Sequence, residues 1–248
     1  FDVGIKNLAY CLLEYTNTDN KKYNILDWGI IDLSDPEEID KCNYCIHNKK
    51  DNITKICGKK ASYQSKNKDI LLCKVHKKKY EKENPDKIKL IKEIKKKKKV
   101  KKPLIELNKT MIEKLDEKPN LLDIDEVLIE NQPSLKNPHM KSIQMMIFSY
   151  FVMRGISDKS DNKINDIVML SARNKMNIYK GPPIECDIKD KYRKNKFLAI
   201  KYCKYMIGEI EDLENKFIEQ YSTSKKQDDL ADSFLQGVFY LNKKFKLF

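Results

Sequence analysis

Short apolar runs separated by polar turns fill the first thirty-three residues. "FDVGIKNLAYCLLEY" predicts a strand, a tight turn at Gly4-Ile5-Lys6-Asn7 and a second strand from Leu8 to Tyr15. "YNILDWGIIDL" (23–33) is a third β-rich run, reached through the polar turn "TNTDNKK", and the three can pair as an antiparallel meander. The pattern then lapses. Residues 40–80 are Cys-rich, with few apolar residues beyond "ILL" at 70–72, so this stretch needs a staple such as a metal. After Pro85, Ile88, Ile91 and Ile94 are spaced for a helix face; lysines crowd 95–102 up to Pro103, and 104–116 predicts a further helix. "IDEVLIE" (124–130) reads as a buried strand ending in Glu130, and "NPHMKSIQMMIFSYFVMRG" (137–155) as a strongly apolar helix stopped by Gly155. "NDIVMLSA" (165–172) is another strand, 189–207 an amphipathic helix with a basic first half, and the last helix starts near 226. Strands alternating with helices after a meander predict an α/β fold, a mixed sheet covered by helices.

Length and charge narrow the partners. At 248 residues the chain can bury a real core, and 50 Lys+Arg against 37 Asp+Glu leave a formal +13, which points to a polyanion, most commonly nucleic acid. No apolar run approaches a membrane span, no signal peptide is visible, and Gly and Pro are scarce. Four of the seven cysteines (Cys42, Cys45, Cys57, Cys73) crowd into 42–73, while Cys11, Cys186 and Cys203 stand apart. That distribution suggests metal rather than disulfides, in an intracellular protein.

Two sets of residues carry chemistry. In "SKKQDDLADSFLQGVFYL" (224–241) the helix pattern puts Asp229 and Asp232 on one face with Leu235, Gln236 and Phe239. Asp228 suits the cap, but Asp232 lies beyond it, beside the apolar stripe, where a carboxylate calls for a cation. The cysteines read Cys-x2-Cys, x11, Cys, x15, Cys-x2-His, five candidates for four tetrahedral positions on Zn²⁺. Spacing alone favours Cys42, Cys45, Cys73 and His76, and Cys57 and Cys73 can also combine with His47. Four protein ligands leave no open position, so the ion is structural. Lys59, Lys60, Lys74 and Lys77 to Lys79 surround it, as in a DNA-contacting knob.

"DVGIKNLAYC", "LIENQPSLKNPHMKSIQ" and "KKQDDLADSF" resemble the three acidic motifs of RuvC-type Holliday-junction resolvases, in their poxviral and mitochondrial branch. The resemblance covers 1–33 and 124–241. It implies an RNase H-like fold with a nuclease core from 1–39 and 119–248; the zinc-binding insertion at 40–80 and the Lys-rich helical linker at 81–118 are read from the residues and depart from the compact resolvases. It further implies an acidic cluster of Asp2, Glu130, Asp229 and Asp232 holding two Mg²⁺, or Mn²⁺ in their place, for phosphodiester hydrolysis. Asp2 would bridge both ions, Glu130 hold one, Asp229 and Asp232 the other. The family's lysine near the site falls on Lys196 first and Lys194 second, and Arg173 and Lys175 would meet phosphates. "KC.Y…CGKKA.Y…LCKVHKKK" is also similar to a small zinc module of large DNA viruses, which would use Cys42, Cys57, Cys73 and His76 and leave Cys45 spare.

The activity so implied is a structure-selective endonuclease that resolves four-way DNA junctions in recombination and repair. A two-fold junction calls for a homodimer, with helix 139–153 as candidate face. Such an enzyme works in the nucleus or at the cytoplasmic replication site of a large DNA virus. One alternative is a nuclease of the RNA-guided transposon type, which also pairs a RuvC-like site with a zinc element, though usually after the second acidic motif. The other is a non-catalytic, zinc-stabilised DNA-binding or transcription factor, which leaves the four carboxylates unexplained.

Overall fold

The computed structural model describes the chain apart from residues 17–21, 35–39, 49–52, 95–101, 136, 159–163 and 211, and the side chains of His47, Asn48, Ile53 and Ile88. Most of the turn expected at "TNTDNKK" and nearly all of the lysine block thus lie outside the described residues. Two compact units emerge: Phe1–Ser34 with Lys102–Phe248, and Asp35–Lys101.

In the larger unit the segment Phe1–Val3 reverses through a turn so tight that a Cβ on Gly4 would stand 2.4 Å from the Asn7 carbonyl oxygen. Strand β1 (Leu8–Tyr15) follows and pairs antiparallel with β2 (Tyr23–Ile31), with a register shift at Leu12/Leu13. The meander is present: Asp2 bridges antiparallel to Ala9. The insertion unit then runs through a hairpin of β3 (Cys45–Asn48) and β4 (Ile53–Ile56), and through β5 (Tyr63–Gln64) and β6 (Leu71–Leu72). Helix α1 (Lys74–Glu83) and strand β7 (Lys92–Glu93) complete it, β5 standing between β6 and β7.

The chain returns to the larger unit in helix α2 (Leu104–Asp116). This helix, expected in a linker, is part of that unit, because Leu107, Met111 and Leu115 recur every four residues and are buried in its core. Lys102, from the end of the lysine block, is tied there as well: its Nζ donates to Thr110 Oγ1 at 2.8 Å. Strand β8 (Glu126–Glu130), helix α3 (Pro138–Tyr150) and strand β9 (Asp166–Leu170) follow, with β8 and β9 parallel. Gly155 does not end α3. The helix widens into a π-helical turn over Phe151–Ser157, where a Cβ on Gly155 would stand 2.3 Å from Ile164 Cδ1. Helices α4 (Lys191–Gly208), α5 (Asn215–Thr223) and α6 (Gln227–Phe245) close the chain; α5 was not foreseen.

Phe1 nitrogen donates to Leu128 oxygen at 2.7 Å, and Glu130 N–H donates to Phe1 oxygen at 3.0 Å, the pattern of a parallel bridge. The Phe1–Val3 segment therefore links the β1–β2 hairpin to the β8–β9 pair in a mixed arrangement. Side chains alternate across it. Leu8, Tyr10, Val127 and Ile129 join one core with α2 and α3. On the other face Cys11 and Leu13 pack against a second core built from α4, α5 and α6. The predicted α/β class holds. Among the described residues no helix is long and apolar enough to cross a membrane.

Candidate nuclease centre and metal cluster

Cross-strand partners point to the same face, so Asp2, opposite Ala9, shares the side of Cys11 and Leu13 that faces α6. On β8 the core residues Val127 and Ile129 face the other way, which turns Glu130 toward the same side. Three separate stretches thus converge. Burial drives the Asp2 carboxyl well above its ordinary range, and the hydrogen bond to Glu130 and its charge push in the same direction. Asp229 rises to about 6, first through burial and then through the charges of Asp228 and Asp2. Burial also raises Asp232, against the opposing charge of Lys175 and with a further push from Asp2.

Asp229 Oδ2 is sealed from solvent without a hydrogen-bond partner, and Lys226 Nζ stands 3.7 Å from it. A buried carboxylate oxygen without a partner is costly, and so are like charges held together. Several carboxyls driven upward by burial and by one another make a site short of positive charge. Hard oxygen donors of this kind fit a divalent cation such as Mg²⁺.

Lys175, expected on phosphate, is instead within this set: Nζ lies 2.8 Å from Asp232 Oδ2, its side chain is only 12% exposed, and its charge acts on Asp2. It sits in a 3-10 turn, Ala172–Ile178, that follows β9. Lys196 forms its ion pair with Asp228. Burial pulls the Lys196 ammonium down, but the bonds to Asp228 and Tyr192 outweigh it and raise it overall. Asp228 answers in kind: burial lifts it, and Lys196 carries it below the ordinary value. Asp228 is therefore not the helix cap. Lys226 occupies that position, and Asp228 and Asp229 lie in the first turn, where the helix dipole favours negative charge.

The loop after Glu130 is held by side chains whose roles sequence reasoning left unassigned. Gln132 Nε2 donates to Glu130 Oε2 at 2.8 Å, and Gln132 N–H to Gln144 Oε1 at 2.8 Å. Lys141 Nζ donates to Gln144 Oε1 and to Asn131 Oδ1, both at 3.1 Å. Gln144 is fully buried. The residues of "ENQP…MKSIQ" thus form a brace that orients Glu130.

In the insertion unit Cys42, Cys57, Cys73 and His76 bring one ligand atom each within 4.8 Å of one another. Among the described residues no other group of three or more Cys, His, Asp or Glu does so, hence the carboxylates of the first site are more widely spaced. Cys45, the alternative ligand, is exposed on β3 and outside this set, and the side chain of His47 lies outside the described residues. His76 Nδ1 lies 3.5 Å from Cys42 Sγ and 3.6 Å from Cys73 Sγ. Zn–S lengths of about 2.3 Å and Zn–N lengths of about 2.0–2.1 Å at a tetrahedral angle separate the two donors by about 3.6 Å. The donor set and spacing fit zinc. Gly58, at φ +66°, supplies the left-handed turn after Cys57. Burial pushes the Cys73 thiol up, but backbone N–H groups of His76 and Val75, at the start of α1, outweigh it and draw it down. Tyr44 stacks on His76 with centroids 4.5 Å apart.

A family model described as mitochondrial resolvase Ydc2 / RNA splicing MRS1 matches residues 1–134. Uncharacterized protein L451 of Acanthamoeba polyphaga mimivirus is 33% identical over 308 residues, spanning 97% of this chain and 73% of that protein. Among solved structures, the yeast mitochondrial Holliday junction resolvase Ydc2 aligns with 97% of this chain and 76% of its own, at TM-score 0.49 and 16% identity. The fowlpox virus resolvase, solved with its substrate Holliday junction DNA, aligns with 98% and 96%, at TM-score 0.40 and 15% identity.

Proposed function

The chain belongs to the family described as mitochondrial resolvase Ydc2 / RNA splicing MRS1, and from that premise we propose that it is a Mg²⁺-dependent endonuclease resolving four-way DNA junctions by phosphodiester hydrolysis. The observation that carries this reading is the convergence of Asp2, Glu130, Asp229 and Asp232, with the Asp229 Oδ2 oxygen buried and without a hydrogen bond. An RNA-splicing role alone gives such a cluster no task.

Asp2, Glu130, Asp229 and Asp232 would hold the metal. Bound divalent ions activate water and neutralise charge on the leaving oxygen. The chain's own groups prepare for that. Burial and the neighbouring Glu130 both raise the Asp2 carboxyl, so a cation at this position would relieve the cost of its charge. Lys175 pairs with Asp232 and would be free to meet a non-bridging phosphate oxygen where a cation takes its place on that carboxylate. Gln132 fixes the carboxylate of Glu130. Lys196, tied to Asp228 at the start of α6, contributes by setting that turn and the local charge.

Zinc is the proposed ion of the Cys42, Cys57, Cys73 and His76 cluster, in a structural role. Two cuts across a two-fold junction call for a homodimer. Its proposed face is α3 with the following π turn, where Met145 and Met153 are exposed beside a groove of about 530 Å³ that Leu104 and Ile112 also line. A relative in a giant virus suits work at an intracellular site of viral DNA replication. The test is cleavage of a four-way junction by the full chain. Paired nicks that need Mg²⁺ or Mn²⁺ and vanish on chelation are expected; no cleavage with either ion would remove the nuclease assignment.

A further inference from the structure

The +13 of this chain is not spread over it. The insertion unit, Asp35–Lys101, holds 22 of the 50 basic residues and 10 of the 37 acidic ones, a net +12. The remaining 28 and 27 give the larger unit a net +1. All 22 basic residues of the insertion are lysines; it has no arginine.

The structure orders part of this charge. On α1, Lys74, Lys78 and Lys82 follow one another at four-residue steps and are exposed, one row along the helix. The other charged groups of α1 are engaged. Glu81 pairs with Lys77 at 3.0 Å, and Glu83 accepts from Tyr44 Oη at 2.6 and 2.9 Å. Lys77 lies over the Tyr63 ring and Lys79 over the Tyr44 ring. No such partner meets Lys74, Lys78 or Lys82 among the described residues. Lys41 and Lys60 face each other across an antiparallel bridge beside Cys42, so two like charges share one face. That arrangement is unfavourable in isolation.

We propose that the Lys74–Lys78–Lys82 row, with Lys41 and Lys60, is a metal-organised surface that grips the phosphate backbone of duplex DNA without reading its sequence. The proposal builds on the nuclease reading and assigns the grip to the insertion. Four residues of helix rise about 6 Å, close to two phosphate steps of about 3.4 Å along one strand. Lysine is a compact point charge suited to phosphate, and the row carries none of the Arg, Asn or Gln groups whose planar ends engage a base edge through two bonds. The metal sets where the row points. Helix α1 buries none of its own residues, and neither apolar core of the protein includes a residue of this unit. The helix is fixed by Cys73 at its cap and His76 in its first turn, both in the metal cluster.

The test uses the full chain carrying Lys74→Gln, Lys78→Gln and Lys82→Gln together, with zinc content checked against wild type. Affinity is measured for a four-way junction and for a linear duplex, between 50 and 200 mM salt. The dissociation constant should rise at least about tenfold on both DNAs, and the salt slope should become shallower by up to about 0.9 for each lysine seated on a phosphate. Replacing the three by arginine should restore the slope, and Cys57→Ser, which releases the metal, should reproduce the loss. Cleavage at saturating protein should be unchanged, so failure here leaves the nuclease reading standing, and failure of that reading leaves the binding result intact. An unchanged slope, a loss confined to the junction, or tighter binding to anionic lipid vesicles than to DNA would overturn the proposal.

Discussion

The larger unit and the insertion solve the problem of holding charge in opposite ways. The larger unit encloses its strands between two apolar cores. That scaffold holds several carboxylates whose charges raise one another and one whose buried oxygen has no hydrogen bond. The insertion has no comparable core, carries nearly all of the net charge, and gathers around four metal-ligand side chains. The two proposed roles follow this difference: concentrated negative charge would serve chemistry at one place, and dispersed positive charge would serve binding over a surface.

The largest expected effect breaks chemistry alone. Asp2→Asn or Glu130→Gln should lower junction cleavage by at least about 10²–10³-fold, because each removes a charge from the proposed metal set that would act on the transition state. DNA affinity should change less than about twofold. Single-turnover cleavage alongside a binding isotherm reads both.

Next in size is the metal of the insertion. Cys57→Ser should release zinc and unfold that unit, while thermal unfolding of the larger unit stays in place; Cys45→Ser should retain the metal. Metal analysis paired with calorimetry separates them. Zinc retained in Cys57→Ser and lost in Cys45→Ser would reverse the ligand assignment.

Smaller still is a stability effect with a sign opposite to the activity effect. Asp229 is raised from its usual 3.8 to about 6, so the folded state binds its proton more tightly than the unfolded state. Its contribution to stability is full below about pH 4 and is lost as pH rises through about 6. Asp229→Asn removes that penalty. With Mg²⁺ omitted, the variant should be more stable than wild type at pH 8 by on the order of 1–3 kcal/mol, and nearly equal to it at pH 4. The same variant should cleave poorly. Thermal melts at the two pH values check the sign.

The smallest effect concerns the two lysines. Lys175→Gln should slow cleavage more than Lys196→Gln, since only Lys175 touches an acid of the proposed metal set, Asp232. Equal losses would remove that ranking.

How much of this was legible in the sequence depends on the range of the interaction. Short apolar runs bounded by turn residues mark β1, β2 and β8, and residues 104–116 read as the helix α2, though its place in the main core needed tertiary packing. The acidic residues were recognisable by motif, and the Cys42, Cys57, Cys73 and His76 set matches the zinc-module resemblance rather than the simplest spacing. What stayed hidden were partners chosen across long sequence separations. Lys196 meets Asp228, Lys175 meets Asp232, and Gln144 braces the loop of Glu130 from a different helix. No local periodicity encodes which lysine reaches which carboxylate. The uneven charge of the two units, by contrast, was present in the composition but becomes visible only once the boundary at Ser34 and Lys102 is known.

The central claim is that chemistry and grip are carried by different units, and Asp232→Asn tests it most directly. This variant keeps the shape of the side chain and removes its charge. Measured on one four-way junction with Mg²⁺, it should bind with the wild-type salt slope and cleave slower by at least about 10²-fold. Wild-type cleavage, or a binding loss that matches the cleavage loss, would contradict the account.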